Sequence, residues 1–326
     1  MEFDLEFHRG GRDARPENTL YSYQYAIENG ASTIECDMQL TKDLEIVMSH
    51  NPALNPDITL DKFGNRIKND NLYIHDMNLK EIQEYNVGIM DKTCDYYKIH
   101  GKTQVMVDTF IPTLRQLFDL VKISKNEDIR ISVEAKYYAD KASSYYLKNP
   151  DKDIWLKEFV KIVKEFHFEN RVILQCFDWS LLVRLKEIEP KIETIGLYVE
   201  QNWNDINSKT LWLDKKEPSP WLSGINIHDF NDDPIEALHY LKIDSASPYY
   251  KELTKEHVIK AHKYNMKVVP WTVNDKEDIL KLYDMGVDGI ITDKPWILKE
   301  VLEEKGYKIK NHKTSLPFHL DINHYE

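Results

Sequence analysis

The chain has 326 residues, of which 42% are apolar and 30% charged, so it can bury a substantial core beneath a polar surface. Its formal net charge of −12 argues against nucleic acid as a partner, because nucleic-acid binding needs a basic face that displaces counterions from the phosphates. The three cysteines, Cys36, Cys94 and Cys176, are too few for a disulfide framework, and no CxxC spacing indicates a zinc site.

Predicted strands alternate with predicted helices along the chain, which is typical of βα units around a parallel sheet. Eight strands are predicted, at 3–9, 33–39 with an extension at 45–49, 130–135, 171–176, 193–198, 242–246, 267–273 and 289–292. The helices between them, each with one apolar stripe, are predicted at 19–28, 113–123, 153–166, 179–188, 233–241, 255–264 and 276–285. Length alone allows one barrel or two ordinary domains, but this pattern favours a TIM (β/α)8 barrel with its active site at the C-terminal strand ends.

Two segments interrupt the alternation. Residues 51–110 are too many for an ordinary βα loop, so we expect a small inserted segment after strand 2 that caps the site. Residues 200–232 form a second long connection, between strands five and six. We therefore predict a barrel domain over 1–304, with the cap at 51–110, and a C-terminal extension over 305–326 that runs along the surface.

Charged side chains stand two positions apart on two of the predicted strands. Glu35 and Asp37 are two positions apart, so they face the same side of their strand. The same rule places Glu134 and Lys136 together on the segment ISVEAK. Three carboxylates suit a hard divalent cation, Ca²⁺ or Mg²⁺, and leave positions for phosphate oxygens and water.

Two histidines and an arginine accompany the acidic residues. His8 in HRGG and His50 in VMSH titrate near neutrality, so one can accept a proton while the other donates one. Arg9 offers a rigid fork of donors for two phosphate oxygens, and Lys136 offers a point charge. These residue types together predict a site that cleaves phosphodiesters.

Each residue taken alone also has an ordinary structural explanation. Alternating polar residues are typical of half-buried strands, and a lone histidine is more often hydrogen-bonded or at the surface than catalytic. Glu134 and Lys136 equally fit a weak ion pair at the end of a strand. The functional interpretation therefore depends on these residues meeting at consecutive strand ends of one barrel.

The segment HRGGRDARPENTLYSYQYAIENGASTIECDMQLTKDLEIVMSH resembles the signature of the glycerophosphodiester phosphodiesterase family. The resemblance continues through IPTLRQLFDLV, SVEAK, ILQCFDW and GVDGIITDKP, and it covers nearly the whole chain except the tail. It implies a TIM barrel with an insertion after the second strand. It also implies a phosphoric diester hydrolase that converts glycerophosphodiesters to glycerol 3-phosphate and an alcohol.

Carried over position by position, the resemblance makes His8 and His50 the acid–base pair. It makes Arg9 the phosphate clamp, with Lys136 as a second phosphate contact. It makes Glu35, Asp37 and Glu134 the metal ligands. Glu17 and Asn18 are implied to orient Arg9 and His8, and Phe177 and Trp271 are implied to lie near the substrate pocket. The implied cofactor is one divalent metal ion, Ca²⁺ or Mg²⁺.

The chain departs from the family pattern at three positions. Asn51 follows the second histidine where the family usually has aspartate, which removes a carboxylate near the proposed acid. Gln175 stands where small hydroxyl residues are common, so it is expected to reshape the pocket. Ala135 replaces the threonine of the usual IETK, and we expect its side chain to point away from the site.

Three alternatives remain open from the sequence. The first is cleavage of lysophospholipids by a phospholipase D-like enzyme, although toxins of that kind rely on loop disulfides. The second is a non-catalytic sensor of phosphate ligands, which would not need two proton-transfer histidines. The third is an amidohydrolase-type metal barrel, which normally has HxH on its first strand, where this chain has FHRG.

No apolar run approaches the length of a membrane span, so stable membrane insertion is not expected. As the chain stands we expect a cytoplasmic protein, and a periplasmic or secreted one if a signal peptide was removed. The expected partner is a small-molecule glycerophosphodiester substrate. The sequence leaves the oligomeric state, the metal and the alcohol group open.

Overall fold

The computed structural model describes residues 3–69, 71–200, 209–311 and 313–314. The strands within these residues are β1 (Asp4–Phe7), β2 (Thr33–Leu40), β3 (Ile46–Met48), β4 (Arg130–Ala135), β5 (Val172–Cys176), β6 (Glu193–Tyr198), β7 (Ser245–Pro248), β8 (Lys267–Val268) and β9 (Gly289–Thr292). The α-helices are α1 (Leu20–Glu28), α2 (Leu79–Ile82), α3 (Asp95–His100), α4 (Leu114–Ser124), α5 (Lys152–Phe166), α6 (Trp179–Ile188), α7 (Pro234–Tyr240), α8 (Lys255–Lys263), α9 (Lys276–Met285) and α10 (Pro295–Glu304).

Eight of the strands are parallel and form a continuous row in the order β8-β7-β6-β5-β4-β2-β1-β9. Backbone hydrogen bonds join the two ends of this row: Asp288 N donates to Val268 O at 2.9 Å, and Ile291 N donates to Pro270 O at 3.1 Å. Helices lie between successive strands along the chain. The predicted TIM barrel is confirmed.

The strand predictions differ from the structure by two residues or more at four places. Strand 1, predicted over 3–9, ends at Phe7, because Arg9 has a φ of +51° and belongs to a short 3-10 turn. The segment predicted as an extension of strand 2 is the separate strand β3, which pairs antiparallel with β2 after a turn at Leu44, where φ is +65°. The prediction for β7 began three residues early, because Lys242 has a φ of +58° and belongs to the turn after α7. The prediction for β8 was too long, because Pro270 has no N–H for a sheet hydrogen bond.

The barrel strands divide their side chains between two environments. Ile34, Cys36 and Met38 of β2 pack into the large apolar core between the sheet and the outer helices. Because side chains alternate along a strand, Glu35 and Asp37 point the other way, into the barrel. Ala135 packs with the outer core, as expected, so its difference from the family pattern does not touch the barrel interior.

The segment between β3 and α4 is the insertion. It contains α2, α3 and a short 3-10 helix at Ile74–Asp76. A small apolar cluster of its own holds it together, formed by Val47, Leu54, Ile74, Ile82, Val87 and Ile111. The division into a barrel over 1–304, a cap over 51–110 and an extension over 305–326 stays a prediction.

The two other irregular regions are only partly described. Residues 201–208 of the second long connection, which include Trp203, lie outside the described residues, and so do 315–326 of the tail. At the start of the tail, Tyr307 packs against Phe3 and Tyr283, with ring centroids 6.2 Å away in each case. In the part of the chain that the structure describes, none of the helices has the length and hydropathy needed to cross a bilayer.

Candidate active site

A tight turn follows β1 and carries the first two site residues. His8–Gly10 form a short 3-10 turn in which Arg9 has a φ of +51° and Gly10 a φ of +78°. This turn directs the Arg9 backbone N–H to Glu35, whose Oε2 accepts its hydrogen bond at 2.8 Å. The turn therefore connects the first strand directly to the acidic residues of the second.

Gly10 is the position where this turn tolerates no side chain. A Cβ on Gly10 would lie 2.5 Å from the Ser22 side-chain oxygen and 2.8 Å from the Ser22 carbonyl carbon, in addition to the strain of a positive φ. We expect Gly10→Ala to lower the free energy of unfolding by about 3 kcal/mol in urea titrations. Gly224→Ala is the control, because Gly224 has a φ of +83° and open space around it, and about 1 kcal/mol is expected there. Equal losses in the two variants would contradict the steric argument.

Three buried carboxylates meet inside the barrel. One carboxylate oxygen from each of Glu35, Asp37 and Glu134 lies within 4.8 Å of the other two. The strand register produces this cluster, because Asp37 of β2 pairs directly with Glu134 of β4. The residues that the sequence predicted as metal ligands are therefore together in space.

The acidic cluster is electrostatically strained. Burial, with repulsion from Asp37 and Glu134, raises the pKa of Glu35 well above its ordinary value. Burial also raises the pKa of Glu134 to about 7, against the opposing effect of Lys136. Burial opposes ionisation of Asp37 too, but Lys136, His50 and Arg9 together lower its pKa below the ordinary value. The neighbouring cations are thus too few to favour ionisation of all three carboxylates.

This cluster fits a divalent cation. Its donors are hard carboxylate oxygens, the ligands that Ca²⁺ and Mg²⁺ prefer. Oδ1 of Asp37 is buried and accepts no hydrogen bond of good geometry, although Lys136 Nζ lies 3.0 Å away. Lys136 Nζ also lies 2.7 Å from Glu134 Oε1, so the residue predicted to contact phosphate bridges two of the carboxylates.

Arg9 and the residues after it form the next part of the site. Nη1 of Arg9 donates to both oxygens of Glu17, at 2.9 and 3.1 Å, and Nε lies 3.4 Å from Asp37 Oδ2. Asn18 was expected to orient Arg9 and His8; its backbone N–H donates to the Arg9 carbonyl at 3.1 Å, its side-chain amide donates to Asp37 Oδ2 at 2.8 Å, and its Oδ1 accepts from Tyr23 at 3.1 Å. Glu17 therefore contacts the side chain of Arg9, whereas Asn18 contacts the backbone of Arg9 and a carboxylate of the acidic cluster.

His8 is held between two acids. Its Nδ1 donates to Asp293 Oδ1 at 2.6 Å, and its Nε2 lies 3.9 Å from Glu35 Oε2. Burial lowers the pKa of His8 to about 4 and outweighs the opposing effect of Asp293, so the ring is neutral at pH 7. Since a carboxylate only accepts hydrogen bonds, Nδ1 carries the ring proton and Nε2 has its lone pair free toward the acidic cluster.

Asp293 also binds groups other than His8. Arg12 Nε donates to its Oδ1 at 2.6 Å, Arg12 Nη2 donates to its Oδ2 at 3.2 Å, and Asn274 Nδ2 donates to its Oδ2 at 2.8 Å. Despite burial, Arg12 and His8 hold the pKa of Asp293 well below its ordinary range. Asp293 is therefore a fixed anion behind the ring of His8.

His50 lies on the side of the site that faces the insertion. It lines a small pocket together with Glu17 and Asn18, and its Nδ1 pairs with Asn51 Oδ1 at 2.8 Å. Burial, Arg9 and Lys136 lower the pKa of His50 well below its ordinary value. Asn51, which stands where the family usually has aspartate, thus still forms a hydrogen bond with His50.

The two predicted aromatic residues form an apolar wall. The rings of Phe177 and Trp271 meet edge to face with centroids 5.5 Å apart, and Tyr249 packs on Trp271 at the same centroid distance. The indole N–H of Trp271 donates to the Ser247 carbonyl at 2.9 Å. Gln175, two residues before Phe177, donates to Glu35 Oε1 at 2.8 Å, which links this wall to the acidic cluster.

Sequence reasoning did not single out Asp293, Arg12, Asn274 or Tyr96 as parts of the site. A usable signal existed for Asp293, because it directly follows the last predicted strand in TDKP, where barrel active sites are built. The contact between Arg12 and Asp293 spans 281 residues, and nothing local in the sequence indicates it.

The sequence that carries these residues matches a known protein family. The profile of the glycerophosphoryl diester phosphodiesterase family matches residues 8–296. The chain belongs to this family. The match extends from the first site residue, His8, past the last, Asp293.

Individual members of the family align along nearly the whole chain. A glycerophosphodiester phosphodiesterase of Caldanaerobacter subterraneus is 29% identical over 299 residues, which cover 92% of this chain and 97% of the relative. One of Bacillus subtilis is 26% identical over 301 residues, covering 92% and 86%. Among solved structures, a candidate glycerophosphoryl diester phosphodiesterase of Silicibacter pomeroyi superposes with a TM-score of 0.78 at 25% identity, covering 95% of this chain and 96% of that one.

Proposed function

We propose that this protein hydrolyses glycerophosphodiesters to glycerol 3-phosphate and an alcohol, with His8 and His50 as the acid–base pair. One observation carries the proposal: His8, a buried arginine and three buried carboxylates share one network of contacts inside the barrel. Family membership supports the reaction class. The proposed substrate is a small molecule, as the names of the relatives indicate.

Arg9 binds the phosphate in this proposal. Its guanidinium is fixed on one side by Glu17, and its buried Nε–H makes no hydrogen bond with any described residue. A forked cation with a free donor is suited to a phosphate oxygen. Lys136 adds positive charge from the opposite side of Asp37.

Glu35, Asp37 and Glu134 would hold one divalent cation, Ca²⁺ or Mg²⁺. When bound there, the ion would supply positive charge for the phosphate oxygens in the transition state. Gln175 and the backbone N–H of Arg9 fix the two oxygens of Glu35, and Asn18 fixes Asp37. Such supporting contacts hold the carboxylates ready for the ion.

The two histidines move the protons. One accepts a proton from the attacking hydroxyl, which belongs to water or to the neighbouring hydroxyl group of the substrate. The other donates a proton to the oxygen of the leaving alcohol. Attack by the substrate hydroxyl would give a cyclic phosphate, which water opens while the histidines exchange roles.

A substrate panel tests the proposal. Glycerophosphocholine, glycerophosphoethanolamine and lysophosphatidylcholine are incubated with the protein after chelation, and then with Ca²⁺ or Mg²⁺ restored singly. We expect glycerol 3-phosphate from the first two compounds. A higher kcat/KM on lysophosphatidylcholine would favour phospholipase D-like cleavage instead. Absence of turnover on all three compounds with either metal would contradict a catalytic role.

Asp293→Asn tests the orientation of His8. The amide keeps the size of the side chain but removes the fixed anion that selects the Nδ1–H tautomer, so we expect kcat to fall by roughly 100-fold. Asp284→Asn is the control, because Asp284 is exposed and, within the described part of the chain, pairs with Lys305 alone, across 3.2 Å. Circular dichroism checks that both variants fold. A folded Asp293→Asn enzyme with wild-type kcat would show that His8 needs no anionic partner.

A further inference from the structure

The insertion contacts the loop that follows the first strand at four points. The contacts join Tyr96 Oη to Glu17 Oε2 at 2.6 Å, His100 Nδ1 to the Asp13 carboxylate, Gln104 Nε2 to the Arg12 carbonyl at 2.5 Å, and Val105 N to the Ala14 carbonyl at 3.0 Å. Residues 96–105 thus lie along residues 12–17. The loop that holds Arg9 in place is itself held by the insertion.

The contact between Tyr96 and Glu17 bears directly on the phosphate site. Glu17 Oε2 accepts from both Tyr96 and Arg9, and Glu17 Oε1 accepts from Arg9 alone. Arg12 Nη1 is 3.8 Å from Glu17, too far for a hydrogen bond. Among the described residues, Tyr96 is therefore the one donor besides Arg9 that fixes the Glu17 carboxylate.

Tyr96 is itself rigidly placed. Its ring packs on the ring of His100, with centroids 4.5 Å apart. His100 is buried and its Nδ1 is hydrogen-bonded to the Asp13 carboxylate, so α3 cannot rotate without breaking that contact. A tyrosine also loses little conformational freedom when it is ordered, because it has only two side-chain torsions. Its hydroxyl thus offers Glu17 a donor at a fixed point.

We propose that Tyr96 is a positioning residue for phosphate binding: the hydroxyl on the inserted helix fixes Glu17, and Glu17 fixes the guanidinium of Arg9. This inference rests on the proposed role of Arg9 as the phosphate clamp. The insertion is then part of the binding site and does more than cover it. Loss of the hydroxyl leaves Glu17 free to change rotamer, and Arg9 then spends part of its time turned away from the phosphate.

Tyr96→Phe tests the inference, and Tyr97→Phe is its matched control. Tyr97 is the next residue of the same helix, is half-buried, and has no hydroxyl hydrogen bond with any described residue. For Tyr96→Phe we expect KM for glycerophosphocholine, and Kd for inorganic phosphate by calorimetry, to rise about tenfold while kcat changes less than threefold. Tyr97→Phe should match the wild type in all three quantities. Wild-type KM and Kd in Tyr96→Phe would overturn the proposal, as would an equal rise in Tyr97→Phe.

A double-mutant cycle distinguishes positioning through Glu17 from a general effect on the fold. If Tyr96 acts through Glu17, the double variant Tyr96→Phe with Glu17→Gln binds phosphate no more weakly than Glu17→Gln alone. Additive losses would contradict this route. Thermal unfolding of all variants shows whether each one is folded at the assay temperature.

The phosphate measurement separates this inference from the proposed function. If the wild type hydrolyses none of the diesters but binds inorganic phosphate, and Tyr96→Phe weakens that binding, the function is wrong and the positioning role stands. If the wild type is active and Tyr96→Phe leaves KM and Kd unchanged, the function stands and the positioning role is wrong. A wild type that binds no phosphate would overturn the positioning role as well.

Discussion

Replacing His8 by alanine is expected to lower kcat by roughly 1,000-fold, because a positioned general acid or base contributes about 10²–10⁴-fold to the rate. The structure gives a specific reason. The ring is neutral at pH 7, its Nδ1–H is committed to Asp293, and its Nε2 faces the acidic cluster 3.9 Å from Glu35. No other described histidine lies so close to those carboxylates. We expect a similar loss for His50→Ala, since the reaction needs an acid as well as a base.

His262→Ala is the control for both histidine variants. His262 is exposed on α8, and its one ion-pair partner among the described residues is Asp288, across 2.9 Å. Steady-state kinetics with saturating metal give kcat, and circular dichroism confirms the fold. If a folded His8→Ala or His50→Ala enzyme turned over at more than a tenth of the wild-type rate, that histidine would not be a proton-transfer residue.

Removal of divalent metal is expected to lower activity by at least 100-fold, and addition of Mg²⁺ or Ca²⁺ is expected to restore it. Burial and mutual repulsion raise the pKa values of Glu35 and Glu134, so a cation that pairs with the cluster relieves an unfavourable interaction. The same cation should stabilise the fold. At a concentration 100 times its Kd, the expected gain in unfolding free energy is about 2.7 kcal/mol.

Glu134→Gln tests whether activity is lost because metal binding is lost. The amide is a weaker ligand for a hard cation, so the rise in Tm on metal addition should shrink together with the activity. Glu84→Gln is the control, because Glu84 is half exposed and pairs with Lys62 in the insertion. If the Glu134→Gln variant kept the full metal-dependent rise in Tm, Glu134 would not be a metal ligand.

The barrel and the acidic cluster could be predicted because they depend on short-range patterns. Alternation along a strand places Glu35 and Asp37 on one face, and parallel pairing then brings Glu134 beside them. Together with the resemblance to the family, these patterns indicated the residues that the structure joins in one network. The turn at Lys242 was less accessible, since its positive φ depends on tertiary packing, whereas the early end of β8 could have been inferred from Pro270.

The contacts that support the site could not be predicted, because each joins parts of the chain that are distant in sequence. His8 and Asp293 are 285 residues apart, and only closure of the barrel brings them together. Tyr96 and Glu17 are 79 residues apart, and their contact depends on how the insertion folds back over the first loop. The amide of Asn18 contacts Asp37 because Asn18 adopts a φ of +54°, which no local pattern indicated.

The bond between His8 and Asp293 has a consequence for biosynthesis. One partner follows the first strand of the barrel and the other follows the last, so a nascent polypeptide still on the ribosome cannot form this hydrogen bond, and with it the proton-transfer site proposed at His8, until almost the entire barrel has emerged. Chains released early by premature termination upstream of Asp293 would therefore be inert as well as unstable. Under the proposed mechanism, the chain becomes catalytically competent late in translation, when the last strand pairs with the first and the barrel closes.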